Sequence, residues 1–150
     1  MDERIVFLDT SGIFAWINQR DPNHQTMLAL PHEKGCRLVT TDYILDETLT
    51  LFMARGIPHQ RKRLLSMVNT SAIVQLVWIG QDYFREASQW MFKYEDHPLS
   101  FTDCTSFACM AKLGIRKVAT TDAHFEKVGF INLLKNPTWE SSRNNMIQGA

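Results

Sequence analysis

Two short stretches, VFLDTSG at residues 6–12 and KVATTDAHF at residues 117–125, decide the fold. In each of them a short strand-like run stops at an aspartate that has small polar residues beside it. This pattern is typical of a buried strand that ends in a turn or at the start of a helix. Asp9 and Asp122 therefore have the same expected position, the carboxyl end of a strand. They are either helix N-caps, which accept hydrogen bonds from backbone N–H groups, or two walls of one site.

The rest of the chain alternates between strand-like and helix-like segments. Further strands are predicted at residues 36–42 (CRLVTTD), 72–80 (AIVQLVWIG) and 129–134 (GFINLL), with helical periodicity between them. One of the helices is expected to begin at Asp21, with Pro22 in its first position. The alternation predicts an α/β fold in which helices cover both faces of a parallel sheet.

Apolar stripes predict which faces of two helices are buried. The first stripe consists of Ile44, Leu45, Thr48, Leu49 and Phe52, and the second of Tyr83, Phe84, Ala87, Trp90 and Met91. No repeat or linker divides the sequence. We therefore expect one domain at residues 1–136, followed by a polar, flexible tail at residues 137–150.

The charge of the chain limits how it can bind a nucleic acid. The 150 residues include 16 basic and 16 acidic side chains, so the formal net charge is zero. A nucleic-acid partner then requires a local basic patch rather than a broad basic surface. The best patch is Arg61, Lys62 and Arg63, together with Arg55 on the preceding helix. It is either a solvated helix face or a set of phosphate contacts.

The cysteines and the N-terminus indicate a compartment. Cys36, Cys104 and Cys109 lack the spacing of a metal site, and the last two are expected to be core-facing thiols. Free thiols favour a reducing compartment, so we expect a cytoplasmic protein. The N-terminal segment MDERIVFLD starts acidic and has only a short apolar run, which predicts neither a signal peptide nor a transmembrane span.

Five acidic residues are expected along one edge of the sheet. Asp9, Asp42 and Asp122 end predicted strands, and Asp103 begins the helix that leads into the fourth strand. Glu47 lies about one turn into the helix after the second strand. The carboxyl ends of parallel strands share one edge, where open α/β sheets form their sites. The five side chains are thus expected to converge.

Each of these acids also has a purely structural explanation. The three strand-end aspartates are alternatively helix caps. Asp103 follows Ser100 by three positions, the spacing of a capping box, and Glu47 taken alone is a solvated helical acid. Convergence favours a shared site, and an all-oxygen site suits Mg²⁺ or Mn²⁺. Carboxylates without a Ser–His or Cys–His pair indicate metal-assisted phosphodiester hydrolysis.

The five histidines show no ligand spacing, and most of them are expected at the surface. His124 follows Asp122 by two residues, so its alternative to a surface position is a place at the acidic site.

Four segments together resemble the PIN-domain ribonucleases. They are FLDTSGIFAWI (7–17), VTTDYILDETLTL (39–51), LSFTDCTSFACMAKLG (99–114) and VATTDAHFEKVGF (118–130). The sequence is most similar to the small single-domain members that act as VapC-type toxins of toxin–antitoxin pairs. The resemblance covers residues 4–134, and its strength lies in four motifs in the family's order and spacing.

The resemblance implies a three-layer α/β/α fold with a five-stranded parallel sheet, and an Mg²⁺- or Mn²⁺-dependent endoribonuclease acting on single-stranded or looped RNA. The family's catalytic and metal-binding acids match Asp9, Glu47, Asp103 and Asp122, with Asp46 as the competing choice for the second of them. Small hydroxyl residues that support such a site match Thr10, Ser11 and Thr120.

The resemblance also implies partners, namely an RNA substrate, a small antitoxin protein and a second copy of the chain. Trp16, Phe52 and Met53 are expected to supply exposed apolar surface for a homodimer, and no membrane is expected to take part.

Two other classes of protein share parts of this pattern. A signalling receiver domain needs an aspartate after its third strand, but here the third predicted strand ends in Trp78, Ile79 and Gly80. The second alternative is a PIN-like module that binds RNA or a partner without cutting it. The complete set of four acids argues against that alternative. An RNA-processing nuclease outside a toxin system stays open.

Overall fold

The computed structural model describes residues 4–30 and 35–135 of the chain. The strands are β1 (Ile5–Leu8), β2 (Arg37–Thr41), β3 (Val74–Val77), β4 (Lys117–Ala119) and β5 (Ile131–Asn132). The helices are α1 (Thr10–Ile17), α2 (His24–Ala29), α3 (Asp42–Ala54), α4 (Gln60–Thr70), α5 (Gln81–Lys93), α6 (Phe101–Leu113) and α7 (His124–Lys127). The predicted tail at 137–150 lies outside the described residues.

The five strands form one parallel sheet in the order β3-β2-β1-β4-β5. The chain first moves outward from β1 to β3, then returns past β1 to β4 and β5. Because parallel crossovers are right-handed, this reversal places α1 to α4 on one face of the sheet and α5 to α7 on the other. The predicted three-layer α/β/α fold with five parallel strands is confirmed.

The central strand β1 anchors the core between the two helical layers. Val6, Phe7 and Leu8 are essentially inaccessible to solvent. On the side of α6, the rings of Phe107 and Phe125 meet edge to face with centroids 4.9 Å apart, a favoured aromatic geometry. Helices cover both faces of the sheet, which explains why the strand sequences are apolar runs rather than alternating patterns.

Two predicted element boundaries are wrong, and the short helix α7 was not predicted. Asp42 does not end β2: Thr41 is the N-cap of α3, and its hydroxyl accepts a bond from the Ile44 amide at 3.1 Å. Helix α2 begins at His24 rather than near Asp21, whose carboxylate instead accepts the Asn23 amide at 2.8 Å in a local turn. The short helix α7 has too few residues to show a helical period.

The buried stripe of α3 is confirmed for Ile44, Leu45, Thr48 and Phe52, with Leu49 partly buried. The stripe of α5 is only partly right. Tyr83, Ala87 and Trp90 pack inward, but Phe84 and Met91 are exposed because α5 meets its neighbours along a narrower face than the sequence pattern suggests.

The apolar surface expected for a homodimer is also wrong in part. Phe52 is fully buried and Trp16 is half-buried against the core, so of that set only Met53 is exposed. Phe52 lies inside because its ring packs on Phe14, with centroids 5.9 Å apart.

The predictions for the cysteines and histidines are partly confirmed and partly wrong. All three cysteines are buried and outside any disulfide, which confirms the core position predicted for Cys104 and Cys109. The expected surface position of the histidines is wrong for His24, which is buried with its Nδ1 atom 2.8 Å from the Ala15 carbonyl oxygen. Among residues 4–30 and 35–135, no helix has the length and apolar content to cross a membrane.

The closest approach between α1 and the sheet is at Gly12. A Cβ atom at this position would overlap the carbonyl oxygen of Ala119 in β4. We expect Gly12→Ala to lower the free energy of unfolding by about 2 kcal/mol, since the backbone of a central strand cannot move aside. Urea unfolding measures the loss.

The matched control is Gly80→Ala, where nothing lies within 4 Å of the added Cβ. That variant should stay within about 0.5 kcal/mol of the wild type. Equal stabilities for the two variants would contradict the packing described for Gly12.

Candidate active site

Asp9 lies at the point where the strand order reverses, between β1 and β4. The Asp9 amide donates to the Ala119 carbonyl at 3.2 Å, which continues the pairing of β1 with β4. The Thr120 hydroxyl then donates to Asp9 Oδ2 at 2.6 Å. Asp9 occupies the N-cap position of α1, but its side chain makes no capping hydrogen bond. Its carboxylate therefore faces the reversal point rather than the helix end.

The loop after β4 is bound to the start of α1 through Thr120 and Ser11. The Asp122 amide donates to Thr120 Oγ1 at 3.0 Å, and the Thr121 amide donates to Ser11 Oγ at 2.9 Å. The two hydroxyl oxygens lie 3.3 Å apart. Because the hydroxyl hydrogen of Thr120 is already used in the bond to Asp9, the Ser11 hydroxyl is the donor between these two oxygens. These bonds fix Asp122 relative to Asp9.

Glu47 reaches the same edge from α3. Thr10 Oγ1 donates a hydrogen bond to Glu47 Oε1 at 2.6 Å. This bond joins the start of α1 to α3, across 37 positions of sequence. The charge of Glu47 raises the pKa of both Asp9 and Asp103. Asp46, the competing choice, is exposed and contributes to neither shift.

Asp103 caps helix α6 and is also one of the acids at the edge of the sheet. It closes the capping box predicted with Ser100: its amide donates to Ser100 Oγ at 3.0 Å, and its Oδ2 accepts the Ser100 amide at 3.2 Å. Burial, and then the charge of Asp122, raise the pKa of Asp103. Asp103 is thus both a helix-capping residue and a neighbour of Asp122 and Glu47.

Asp122 is joined by His124. Asp122 Oδ1 accepts the His124 amide at 2.9 Å and lies 2.8 Å from His124 Nδ1. Asp103, Asp122 and His124 each offer one ligand atom, and these three atoms lie within 4.8 Å of one another. His124 thus joins the site, although the sequence showed only its nearness to Asp122. Asp122 is not the N-cap of α7, which is Ala123.

Burial and like charge make Asp9 an unusual carboxyl group. Removal from water is the main reason that its pKa is raised to about 7, opposed by the hydrogen bond from Thr120 and a backbone bond from Thr10. The charges of Asp103 and Glu47 raise it further. A cation placed among these groups would reverse the effect, because an opposite charge favours the ionised form.

The described residues fit a hard divalent cation. Asp103 and Asp122 offer carboxylate oxygens, the donor type that suits Mg²⁺ and Mn²⁺, and His124 offers a ring nitrogen within 4.8 Å of both. Crowded carboxylates that raise one another's pKa are the electrostatic environment that a divalent ion relieves.

Two of the predicted groups lie away from this edge cluster. Asp42 is bound elsewhere, since its Oδ1 accepts the Ile79 amide at 2.8 Å. Arg61 and Lys62 line a surface groove of about 850 Å³ between α3 and α4. Arg55 follows Glu47 by eight residues, or about 12 Å of helix axis, so the basic group starts beyond the acidic edge.

Comparison with known proteins agrees with this fold. The model of the PIN domain family matches residues 6–131, and the chain belongs to that family. It is similar to the 23S rRNA-specific endonuclease VapC20 from two strains of Mycobacterium tuberculosis, with 30% identity over 129 residues, 86% of this chain and 98% of that protein.

The crystal structure of Mycobacterium tuberculosis VapC20, described as a Sarcin-Ricin loop cleaving toxin, matches with a TM-score of 0.74 and 31% identity. The match covers 84% of this chain and 96% of that one. The chain is therefore a homologue of the VapC-type PIN ribonuclease toxins.

The raised pKa of Asp9 predicts how stability changes with pH when metal is removed. The folded value is about 7 against 3.8 for the free side chain. The stability gained from this protonated group is therefore fully present below about pH 4 and is lost as pH rises through 7. In EDTA, the free energy of unfolding should fall between pH 4.5 and pH 7.5 more steeply for the wild type than for Asp9→Asn.

Urea unfolding at the two pH values measures this difference, with Asp46→Asn as the control that should keep the wild-type slope. Added Mn²⁺ should flatten the wild-type slope. Identical slopes for the wild type and Asp9→Asn would contradict the shift.

Proposed function

We propose that this chain is an Mg²⁺- or Mn²⁺-dependent endoribonuclease that acts as the toxin of a toxin–antitoxin pair. The observation that carries the proposal is the electrostatic coupling of Asp9, Glu47, Asp103 and Asp122 at the reversal point of a PIN fold. Similarity to a named ribosomal RNA endonuclease over nearly its whole length supports the same activity. Buried free thiols support a reducing, cytoplasmic setting.

The proposed ligands of the ion are the four carboxylates, with His124 beside Asp122. When bound, a divalent ion offsets the charge on the phosphoryl oxygens and lowers the pKa of water. Thr120 holds one oxygen of Asp9 and Thr10 holds one oxygen of Glu47. These hydroxyl groups fix the carboxylates in position, so that little reorganisation is needed when the substrate phosphate arrives.

The proposed substrate is single-stranded or looped RNA, the class to which the Sarcin-Ricin loop cleaved by VapC20 belongs. In hydrolysis the oxygen of water bonds to phosphorus while the bond to the 3′ oxygen breaks. The products then carry 5′-phosphate and 3′-hydroxyl ends. Cleavage through the neighbouring 2′-hydroxyl would leave a cyclic phosphate instead, so product ends separate the two routes.

Cleavage of a looped RNA is the direct test. Wild-type protein should cut it in Mn²⁺, stop in EDTA and leave 5′-phosphate ends. Asp9→Asn and Asp122→Asn should keep the fold and lower the rate by at least about 100-fold, since each removes a formal charge from the site.

Glu47→Gln and Asp46→Asn form a matched pair, because the two acids are adjacent on α3 and both are exposed. The first should lose cleavage and the second should keep the wild-type rate. Asn caps a helix about as well as Asp, so wild-type activity in Asp122→Asn would reduce that residue to a structural role and remove it from the site.

The basic group and its groove are proposed as partner surfaces. The groove between α3 and α4 has an apolar floor that includes Leu49, Met53 and Leu65, and a basic side formed by Arg61 and Lys62. This surface complements a helix with one apolar face and acidic flanks, which we propose as the antitoxin segment. Arg55 and Arg63 extend the positive charge toward RNA phosphates.

The antitoxin proposal predicts an escape variant. Co-expression with a cognate antitoxin should suppress RNA cleavage, and Leu65→Arg should restore it without changing the activity of the isolated enzyme. Leu113→Arg, on α6, is the control because its exposure of 44% matches the 42% of Leu65. Full suppression of both variants would rule out the groove.

A homodimer is proposed as well, with a surface other than Trp16 and Phe52, since neither is exposed. Sedimentation velocity of the wild-type protein tests this state.

A further inference from the structure

Three aromatic side chains, Tyr43, Phe84 and Phe101, are neighbours beside the acidic residues, and Trp78 follows β3 at the same edge of the sheet; we call these four residues the aromatic ledge. The ring of Phe101 lies 6.4 Å from Tyr43 and 5.0 Å from Phe84, measured between centroids. Phe84 is 48% exposed and Trp78 is 69% exposed. Rings that are this exposed contribute little to the core, so their exposed faces are available for contact with a ligand.

The ledge begins at the acidic residues themselves. Tyr43 precedes Glu47 by four residues on α3, so the two side chains share one face of that helix. Phe101 is the first residue of α6 and stands two positions before Asp103. The ledge therefore adjoins the place where a substrate phosphate would meet Glu47 and Asp103.

Trp78 is held at the same edge by the loop after β3. The Ile79 amide donates to Asp42 Oδ1 at 2.8 Å. Trp78 and Tyr43 each adjoin one partner of this bond. Strand β3 lies two strands from β1, which sets the end of the ledge about 10 Å from Asp9. Asp42, which does not join the acidic site, thus holds the loop that carries Trp78.

We propose that the aromatic ledge stacks the unpaired bases that adjoin the scissile phosphate of RNA. This inference rests on the proposed nuclease function and adds a binding site for the bases. Every base has a π-face, so exposed rings bind single strands without a broad basic surface. A chain whose net charge is zero has no broad basic surface, so RNA affinity has to come partly from such uncharged contacts.

The surroundings of the ledge favour RNA over a second copy of the chain. Full burial of an aromatic side chain covers about 150–250 Å², and Tyr43 and Phe101 are already half-buried. The area left is well below the roughly 800 Å² per partner of a stable protein interface. Polar side chains border the strip, including the exposed pair Asp82 and Arg85, whose charged atoms are 3.9 Å apart.

The test compares Phe84→Leu with Phe92→Leu, both made in the inactive Asp9→Asn protein. Both phenylalanines lie on α5 and are exposed, Phe92 to 65%, and eight residues separate them. Leucine keeps apolar contact with Phe101 but has no π-face. The probe is a fluorescein-labelled single-stranded RNA, with a series of copies that each lack one base, and anisotropy in Mn²⁺ gives the dissociation constant.

Phe84→Leu should raise the dissociation constant for the intact RNA about tenfold, while Phe92→Leu leaves it unchanged. Loss of one particular base should weaken binding of the parent protein equally, and should weaken Phe84→Leu no further. Such non-additivity assigns the contact to base stacking rather than to phosphate binding. Trp78→Leu should behave like Phe84→Leu, with loss of a neighbouring base.

Three outcomes overturn the ledge. In the first, Phe84→Leu and Trp78→Leu bind RNA like the parent protein, while the enzyme with Asp9 intact still cleaves RNA. The ledge is then wrong and the nuclease function stands. In the second, sedimentation shows a wild-type dimer that Phe84→Leu separates, with unchanged affinity per protomer, which makes the ledge an interface between copies. In the third, neither binding nor cleavage of RNA occurs, and the proposed function fails together with the ledge.

Discussion

The hydrogen bond from Thr120 to Asp9 Oδ2 is the contact on which the site depends, because it lies where the chain reverses its direction across the sheet. Strands β1 and β4 are neighbours in space but are separated by more than a hundred residues. Their pairing brings an aspartate at the end of one strand against a threonine just after the other. The resulting carboxylate is buried, and its pKa is raised mainly by burial. A buried acid in this position is costly to ionise without a cation, which makes the reversal point a place for metal chemistry.

The alternative between helix cap and site wall, which the sequence left open, turns out not to be exclusive. Asp103 completes a capping box with Ser100 and still raises the pKa of Asp9 through its charge. Asp122 accepts a hydrogen bond from the backbone amide of His124, and its carboxylate is close enough to that of Asp103 for both to bind one ion. Backbone bonds to one carboxylate oxygen orient the group while other lone pairs stay free. Local structure therefore holds the acids rigid, as a preorganised site requires.

The sequence predicted a parallel sheet covered by helices, because strand-like and helical periods alternate along the chain, and it placed acids at one edge of that sheet from the positions of strand ends. It failed at Asp42, since a polar residue after a strand looks the same whether it faces the acids or caps a loop. It failed at Phe84 and Met91 because a period gives the direction of the apolar face but not how much of that face a neighbour covers. The contribution of His124 required the geometry of a helix of four residues, too short to carry a pattern.

Neutral net charge sets the last constraint on an enzyme of this kind. Crowded carboxylates repel the RNA backbone until a cation is present, and the basic side chains of α4 begin beyond the acidic edge. In the proposed mechanism the ion supplies the attraction for the phosphate, and further affinity comes from contacts that do not depend on charge. Stacking on exposed rings is such a contact, and it weakens little with salt compared with phosphate pairing. An exposed phenylalanine beside an acidic edge is therefore consistent with the electrostatics of the site, although it departs from the usual burial of apolar residues.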